Sequence, residues 1–516
     1  MNSSRLRIPK APTALCASSI TLLCAMLAGC NVGPKYVPPN TTAPPAYKES
    51  PTQVKATGDE PASEWTVAQP QDATLRGKWW EIYNEPDLNA LEEQLNVDNQ
   101  NIRESFENFM EARALVRETR SQLFPTLSVG PSYTRSQTSS NLGTGAIANN
   151  ESGKQSQVFS LPGEVSWEPD LWGKVRNAIR SSQYTAQASA ADLELERLTE
   201  QASLAEYFFE IRGQDALQQV LDNAVEADKK SLAAEQGRYD TGVDDEISLV
   251  QAQTTLAEAQ SSAINNHIAR AQYEHAIAML IGKQASAFSI PAVAKTAAPP
   301  PIPVGVPSQL LERRPDVAAA ERTMASANAQ IGVAYAAYYP SLTISGSGGF
   351  ESSAVGKLLD ASSRFWSVGP AVSETVYDGG LRRATVNQYI ATYNADLAAY
   401  RQSVLTAFQQ VEDYLAAVRI FSQQIVRQKE AVEHSETYLK LEQARYDTGI
   451  DPYIDLASAQ ITLYSNQQQL ATIQVQQMTA SVELIQALGG GWDKSQLPTP
   501  AQVTAKPSHA ETTIQH

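Results

Sequence analysis

The sequence predicts an α+β membrane protein in which short amphipathic strands are joined to very long coiled-coil helices. Three observations lead to this prediction. The chain repeats itself, long segments carry apolar residues at spacings of three and four, and shorter segments before them alternate apolar with small polar residues. We therefore expect two related halves, each with two strands and one long helical hairpin.

The internal repeat is clearest in the stretch RYDTG, which occurs at residues 238–242 and again 207 residues later at 445–449. The 26-residue stretches around the two copies share 15 identities without a gap. Weaker matches extend the likeness on both sides, so the chain is internally duplicated. The predicted halves cover residues 78–283 and 308–492, and a Pro-rich linker, 284–307, joins them.

The long helices are predicted from heptad-like spacing. In the second half, ten apolar residues follow one another at intervals of three and four, with no proline or glycine between them. This pattern predicts a helix over residues 381–444, roughly 95 Å long, and a counterpart over 174–237. Few globular domains can house such helices, so we expect a long bundle or tube. The turns of the helical hairpins are predicted at 238–246 and 445–453.

Before each long helix the period changes to two. In the first half Phe159, Leu161 and Val165 alternate with serine and glutamate, and the second half repeats the pattern. The predicted β-hairpins cover about 124–170 and about 339–377. An apolar face, a small polar face and about ten residues per strand are typical of outer-membrane barrels. An edge hairpin of a soluble sandwich is the alternative.

The number of strands bears on the oligomeric state. Four strands are too few to close a barrel, since known barrels begin near eight. Two chains would supply eight strands around a filled interior, and three chains would supply twelve with room for a pore. With either number, the protein is an oligomer.

The N-terminus predicts export and lipid attachment. Three basic residues precede a short apolar run that ends in LAGC at Cys30. This arrangement resembles the lipobox of bacterial lipoproteins, so residues 1–29 are predicted to be a signal peptide and Cys30 the lipid attachment site. An ordinary signal peptide with a chance cysteine is the alternative. Asn31 after the cysteine favours the outer membrane.

Composition limits the chemistry and the partners of the mature chain. All three cysteines lie at or before residue 30, which excludes disulfides and thiol catalysis. Loss of the three basic residues of the signal leaves 37 Lys and Arg against 56 Asp and Glu, so the formal charge changes from −16 to −19. An acidic chain repels phosphate backbones, and nucleic acid is therefore not an expected partner.

Two terminal segments differ in composition from the halves. Residues 30–77 are rich in Pro, Thr and Ala and predict an extended tether between the lipid and the body. The tail, residues 493–516, is polar and is predicted to be disordered.

The sequence offers no catalytic or cofactor motif. It has no Walker A loop and no dinucleotide-type GxGxxG, and SGSGG at 345–349 lacks the spacing of a nucleophile elbow. The five histidines are scattered without metal-ligand spacing. We therefore predict neither an enzyme nor a bound cofactor or metal. A purely structural coiled coil that spans the envelope is a further alternative, against which the amphipathic strands argue.

Four motifs carry a family resemblance. They are KWWEIYNEPDLNALEEQLNVDNQNI (78–102), WEPDLWGKVR (167–176), a block from PSQLLERRPD to YPSL (307–342) and LIQALGGGW (484–492). Together they resemble the signatures of TolC-like outer-membrane factors, over about residues 30–492. The lipobox indicates the lipoprotein branch, which serves tripartite efflux pumps of the RND type.

The resemblance implies an architecture and a function. It implies a homotrimer in the outer membrane of a Gram-negative bacterium, with a twelve-stranded β-barrel continued by a coiled-coil α-helical barrel through the periplasm. The implied partners are a periplasmic adaptor (a membrane fusion protein) and an inner-membrane RND pump. The implied function is passive exit of drugs or other toxic small molecules. The channel of an ABC-type protein or peptide secretion system is the alternative.

The RYDTG repeats are first of all predicted turns. Gly242 and Gly449 would supply a backbone conformation that a β-carbon disfavours. Asp244 and Asp451 are predicted to cap the helices that follow.

The resemblance adds a gate at these turns. In TolC-like proteins the periplasmic tip is the closed end, held by tyrosine, arginine and aspartate contacts and lined by rings of aspartate. Asp455 matches one ring position, whereas Ser458 and Ser248 depart from the pattern. The predicted gate residues are Arg238, Tyr239, Asp244, Asp245, Arg445, Tyr446, Asp451 and Asp455. A plain solvated helix face is the alternative for these charged residues.

Overall fold

The computed structural model describes residues 31–39, 43–49, 77–137, 139, 155–294, 297–305 and 307–506. The predicted signal peptide and Cys30 lie outside these residues.

The described chain consists mainly of helices, with one small sheet. The helices are α1 (Pro86–Asp98), α2 (Gln100–Ser121), α3 (Lys174–Asp240), α4 (Glu246–Leu280), α5 (Pro307–Arg313), α6 (Pro315–Ala336), α7 (Leu381–Asp447), α8 (Tyr453–Ala487) and α9 (Pro500–Thr504). The strands are β1 (Thr126–Val129), β2 (Ser132–Gln137), β3 (Gln155–Trp167), β4 (Ser341–Ser352) and β5 (Arg364–Ser373).

Corresponding helices of the two halves have the same lengths. Helices α3 and α7 have 67 residues each, α4 and α8 have 35 each, and α2 and α6 have 22 each. At 1.5 Å per residue, α3 and α7 are about 100 Å long. Both begin after a glycine in the left-handed region, Gly173 (φ 82°) and Gly380 (φ 94°). Within the described ranges, no helix is long and apolar enough to cross a membrane.

Each long helix forms a hairpin with the 35-residue helix that follows it. We call α3 with α4 hairpin 1, and α7 with α8 hairpin 2. Helix α3 also packs against α2, α6 and α8, and α7 also packs against α6. The part of each long helix next to the sheet is thus flanked by a 22-residue helix, and the part next to the turn by a 35-residue helix.

The main apolar core lies where α1, α3, α4 and α8 meet. Trp79, Leu88, Phe208 and Ile277 are all at most 1% exposed. Burial of each such side chain stabilises the fold by about 1.5–3 kcal/mol. The KWWEIY motif therefore supplies core residues, and its conspicuous aromatic residues have a structural role.

The LLERRPD motif forms a junction between helices. Arg314 donates hydrogen bonds to Asp316 at 2.9 and 2.6 Å, to Gln410 of α7 at 2.8 Å and to the carbonyl oxygen of Ala487 at 3.1 Å. Its side chain is 9% exposed. The motif therefore fastens the start of α6 to both helices of hairpin 2.

The strands form one antiparallel sheet in the order β1–β3–β4–β5, and β2 also pairs with β3. Strands β1 and β2 correspond to a single predicted strand that is interrupted at Gly130 and Pro131. Proline has no backbone donor and breaks the ladder there. The sheet thus has the four predicted strand positions. Its edges are formed by β1 and β2 on one side and by β5 on the other.

Neighbouring rows across the sheet show its two faces. One row contains Leu127, Val165, Gly346 and Val368, and the next contains Ser128, Glu164, Ser347 and Ser367. Trp366 and Val368 are 81% and 72% exposed, so the chain itself does not cover the apolar face. Such a face is suited to contact with lipid.

The N-terminal segment is extended, as predicted, but it is not a free tether. The Val32 amide donates a hydrogen bond to the carbonyl oxygen of Trp172 at 3.1 Å, and the Tyr36 hydroxyl donates one to Glu321. Tyr47 is buried. The described part of this segment therefore lies along the helices, because its few aromatic side chains find sites between them.

The C-terminal segment corrects a prediction, since it is not disordered up to residue 506. It forms a 3₁₀ turn at Lys494–Gln496 and then α9. Val503 of α9 is fully buried beside Val116. The Arg113 guanidinium donates hydrogen bonds to two carbonyl oxygens of the segment, at 3.4 and 3.2 Å. The polar composition of the segment gave no sign of this buried valine, nor of Leu497, which packs near Trp492. Residues 507–516 lie outside the described part.

Candidate gate at the hairpin tips

The RYDTG repeats form the same turn in both hairpins. The Gly242 amide donates to the carbonyl oxygen of Tyr239 at 2.9 Å, and the next amide donates to that of Arg238 at 2.9 Å. The equivalent bonds at Gly449 also measure 2.9 Å. This is the Schellman pattern that ends many helices. Gly242 and Gly449 have φ values of 72° and 73°, so both need the freedom of glycine.

The arginine of each repeat binds the aspartate that follows the turn. Arg238 Nε donates to Asp244 at 3.0 Å. Arg445 binds Asp451 through both Nε and Nη2, the latter at 2.8 Å. The hydrogen bonds from Arg445 lower the pKa of the Asp451 carboxyl. Each turn therefore carries its own internal ion pair.

These ion pairs correct the predicted helix caps. Asp244 and Asp451 do not cap the following helices, because each pairs with the arginine of its own turn and the helices begin one residue later than predicted. In hairpin 1 the cap is one residue later, where Asp245 accepts a hydrogen bond from the Ser248 amide at 3.1 Å. In hairpin 2 the cap position is Pro452, which makes no side-chain cap.

The two hairpins of one chain meet through Glu235, Arg238 and Tyr446, which we call the tip contact. The Tyr446 hydroxyl donates a hydrogen bond from hairpin 2 to Glu235 of hairpin 1. The Arg238 guanidinium lies 4.9 Å from the centre of the Tyr446 ring, within the range of a cation–π interaction. Glu235 and Tyr446 are both buried, and burial raises the pKa of the Glu235 carboxyl.

A small apolar cluster supports the tip contact. Tyr446 packs with Tyr453, Leu456 and Ala457 of α8 and with Ala252 of α4. The rings of Tyr446 and Tyr453 are 6.3 Å apart, edge to face. Because the cluster is small and lies far from the main core, the tips are held together less firmly than the middle of the chain.

The repeat places an equivalent set of residues on the open side of the chain. Tyr239, Glu442 and Arg445 correspond to Tyr446, Glu235 and Arg238. The Tyr239 side chain is exposed. One carboxylate oxygen of Glu442 is shielded from solvent and has no hydrogen-bond partner among the described residues. This second set is not brought together within one chain.

Asp455 lies in the first turn of α8 and is exposed, so its role in a gate stays a prediction. Asp455 and Asp451 are both close enough to Arg445 to raise its pKa. The described residues contain no group of three or more His, Cys, Asp or Glu side chains placed to hold a metal ion.

Sequence reasoning missed Glu235 and its equivalent Glu442. The signal was present, since EQ precedes both copies of RYDTG at the same spacing. A glutamate on a long helix is usually solvated, so only the packing of the hairpins distinguishes these two.

The exposed apolar face of the sheet, the helices of about 100 Å and the paired tips define an outer-membrane channel protein with a long periplasmic part. The sequence pattern of the family described as outer membrane efflux protein matches residues 91–283 and 306–490. The chain belongs to this family.

Named relatives cover nearly the whole chain. The solvent efflux pump outer membrane protein SrpC of Pseudomonas putida is 31% identical over 481 residues, which are 91% of this chain and 97% of SrpC. The outer membrane protein OprJ of Pseudomonas aeruginosa is 28% identical over 443 residues, covering 84% of this chain and 91% of OprJ.

Solved structures show the same fold. The outer-membrane channel OprN has a TM-score of 0.78 at 27% identity, with 90% of this chain and 100% of OprN covered. The outer membrane channel CmeC of Campylobacter jejuni has a TM-score of 0.79 at 21% identity, covering 94% and 99%. The predicted family resemblance and fold class are therefore confirmed. The chain is an outer-membrane channel component of an efflux system, and its relatives are channel proteins.

Proposed function

We propose that this channel gives passive exit to toxic small molecules, delivered by an inner-membrane RND pump through a periplasmic adaptor. The observation that carries the proposal is the 31% identity along almost the full length of SrpC, a protein named for solvent efflux. Other relatives in Pseudomonas putida are named for toluene and antibiotic efflux. Apolar solvents and antibiotics are therefore the proposed substrate class.

The functional unit is a homotrimer. Each chain contributes four strand positions, and both edges of its sheet lack partners within the described chain. Three sheets joined edge to edge give twelve strands, which is wide enough for a pore. Six hairpins then continue the barrel into the periplasm as a helical tube.

The tip contact recurs between subunits and closes the tube. Because the two hairpins are equivalent, a ring of six repeats one packing relationship six times. Tyr239 then meets the partner subunit's Glu442 and the partner subunit's Arg445, in the way that Tyr446 meets Glu235 and Arg238. Asp455, Asp451, Asp244 and Asp245 add negative charge around the closed end.

Paired cysteines test this gate, since the mature chain contains no other thiol. Tyr239→Cys with Glu442→Cys should form a disulfide between subunits and give a covalent trimer on a non-reducing gel. Glu235→Cys with Tyr446→Cys is the matched control and should close only within one chain. A control disulfide without any inter-subunit product from the first pair would count against the proposed ring.

The substrate and the pump are tested in cells. A deletion strain should become sensitive to toluene and to antibiotics, and the complete chain should restore resistance. In-cell cross-linking and mass spectrometry should recover an RND pump with its adaptor. Recovery of an ABC transporter would favour secretion of protein or peptide instead.

Lipid attachment at Cys30 is part of the proposal. Asn31 lies against Gly173, between β3 and α3, and its Cα is 3.2 Å from where a β-carbon on Gly173 would stand. The described chain thus begins where the sheet joins the helices, close to the expected membrane surface. Cys30→Ser should abolish labelling by a fatty-acid analogue, and retained labelling would contradict attachment there.

A further inference from the structure

A second set of polar groups lies between the hairpins, above the tip contact. We call it the seam, and it consists of Asp228 and Ser231 of α3 with Tyr453, Gln460 and Tyr464 of α8. Asp228 and Gln460 are 3% and 4% exposed. Gln460 Nε2 donates a hydrogen bond to the Ser231 hydroxyl at 3.1 Å. Asp228 is ten residues before Arg238, about 15 Å along the helix.

Two polar atoms of the seam lack hydrogen-bond partners. Asp228 Oδ1 and Gln460 Oε1 are shielded from solvent and have no hydrogen-bond partner among the described residues. A carboxylate oxygen that is buried without a hydrogen-bond partner is disfavoured relative to a hydrated one. Separation of the hairpins would return both groups to water. Asp228 and Gln460 would therefore gain hydrogen bonds to water when the interface between the hairpins opens.

The groups around Asp228 do not neutralise it. Tyr453 and Tyr464 face it from α8, and their pKa values are raised to about 12, first by burial and then by the Asp228 charge. Glu235 is the nearest acidic group on the same helix face. From α4, the uncharged Thr255 lies beside Tyr453.

The neighbouring Lys229 does not pair with Asp228. Lys229 is exposed and pairs with Glu226 at 2.7 Å, one turn back on the same helix. Burial raises the pKa of Asp228 to about 6. In separated, hydrated hairpins the same carboxyl would titrate near 3.9.

The repeat supplies an internal comparison for this position. The residue equivalent to Asp228 is Ser435, which is also buried. Its hydroxyl donates to the carbonyl oxygen of Ala431 at 2.5 Å and accepts from Asn466 at 2.6 Å. A serine with both hydrogen bonds made thus fits this position of the hairpin, and helix packing does not require an aspartate there.

We propose that Asp228 is a second gating residue, which holds the hairpins together when protonated and favours their separation when ionised. When the packed, protonated form opens, the proton of Asp228 goes to water. This inference rests on the proposed closure of the tips. It predicts a channel that closes more tightly as the periplasm becomes acidic.

The sign and size follow from proton linkage. A carboxyl with a raised pKa stabilises the packed state at low pH, and that stabilisation is lost as the pH rises through about 6. The pKa of Asp228 is about two higher in the packed state than in the hydrated state. This difference changes the closed-to-open ratio up to about 100-fold per subunit.

Conductance in planar bilayers between about pH 4.5 and 7.5 tests the proposal. The wild-type open fraction should rise with pH between about 4 and 6 and level off above about 6. Asp228→Asn and Asp228→Ser should flatten the profile and keep the channel largely closed. Asp222→Asn, at an exposed position of the same helix, is the matched control and should behave as wild type. A wild-type slope in both Asp228 variants, or loss of the slope in the control, would overturn the inference.

The variant Tyr446→Phe, which weakens the tip contact, separates the proposed closure of the tips from the proposed role of Asp228. If Tyr446→Phe raises conductance but both Asp228 variants keep the wild-type slope, the gate stands and the role of Asp228 fails. If Tyr446→Phe changes nothing and conductance is large at every pH, closure of the tips fails and the Asp228 inference fails with it.

Discussion

Tyr446 and Tyr239 occupy equivalent positions of the repeat, 207 residues apart, yet Tyr446 is 5% exposed and Tyr239 is 41% exposed. Both lie in a copy of RYDTG with the same turn geometry. The difference arises because hairpin 2 packs against hairpin 1 on one side only. The exposed tyrosine therefore marks the side of the chain that a neighbouring subunit is proposed to cover.

Removal of the Tyr446 hydroxyl should loosen the tips. Tyr446→Phe leaves the buried carboxylate of Glu235 without its donor, and loss of such a bond costs about 1–1.5 kcal/mol. A cost of that size raises the open population about five- to tenfold. Single-channel recording and uptake of a large antibiotic measure the effect. Tyr438→Phe, at an exposed position of the same helix, is the control and should change neither conductance nor uptake. Equal leakage from both variants would refute the role assigned to Tyr446.

Asp455 is expected to set the charge at the closed end. Three such carboxylates around a threefold axis repel one another and attract cations. Asp455→Ala should therefore raise ion conductance and reduce selectivity for cations over anions. Reversal potentials in a salt gradient provide the measurement, and Asp447→Ala is the exposed control. Unchanged conductance and selectivity in a correctly folded trimer would assign Asp455 to a solvated helix face.

The turn glycines and a nearby helical glycine should respond to alanine in opposite directions. Gly242 has φ 72°, so Gly242→Ala should destabilise the tip by about 1–2 kcal/mol. Gly237 lies inside α3 with open space around its α-carbon, so Gly237→Ala should stabilise the same region by about 0.5–1 kcal/mol. Hydrogen exchange of the tip amides should be faster in the first variant and slower in the second. A shift in the same direction in both would contradict the assigned backbone conformations.

Glu92 should make stability depend on pH. Its side chain is fully buried, neither carboxylate oxygen has a hydrogen-bond partner among the described residues, and burial raises its pKa well above the usual value. The protonated form fits the core, so stability should fall as pH rises above about 4.3 towards the folded pKa. Each tenfold difference in proton affinity corresponds to about 1.4 kcal/mol.

Glu92→Gln should therefore raise thermal stability at neutral pH and reduce its pH dependence. The matched control is Glu93→Gln, because Glu93 is exposed and pairs with Lys78 on the surface. Trimer melting between about pH 5 and 8 provides the measurement. If the two variants melt alike at every pH, Glu92 does not carry the buried proton.

The sequence by itself determined the duplicated plan of the chain and the nature of its elements. Apolar spacing and the positions of proline and glycine are local properties of the sequence. They sufficed to predict β3, β4, α3 and α7 within a few residues. The repeat then determined that the tips are equivalent. The wrong prediction for the tail shows the limit, since composition cannot reveal that Val503 fits a groove on α2 and α3.

Only the tertiary structure decided which equivalent residues differ in environment. Burial of Tyr446 but not Tyr239, and the contact of Glu235 but not Glu442 with a tyrosine of the other hairpin, depend on neighbours that local sequence does not specify. The partner of Glu235 lies 211 residues away. Hydrogen bonding and burial act between surfaces that meet in space, so two copies of one sequence can acquire different roles when only one of them meets a neighbour within the chain.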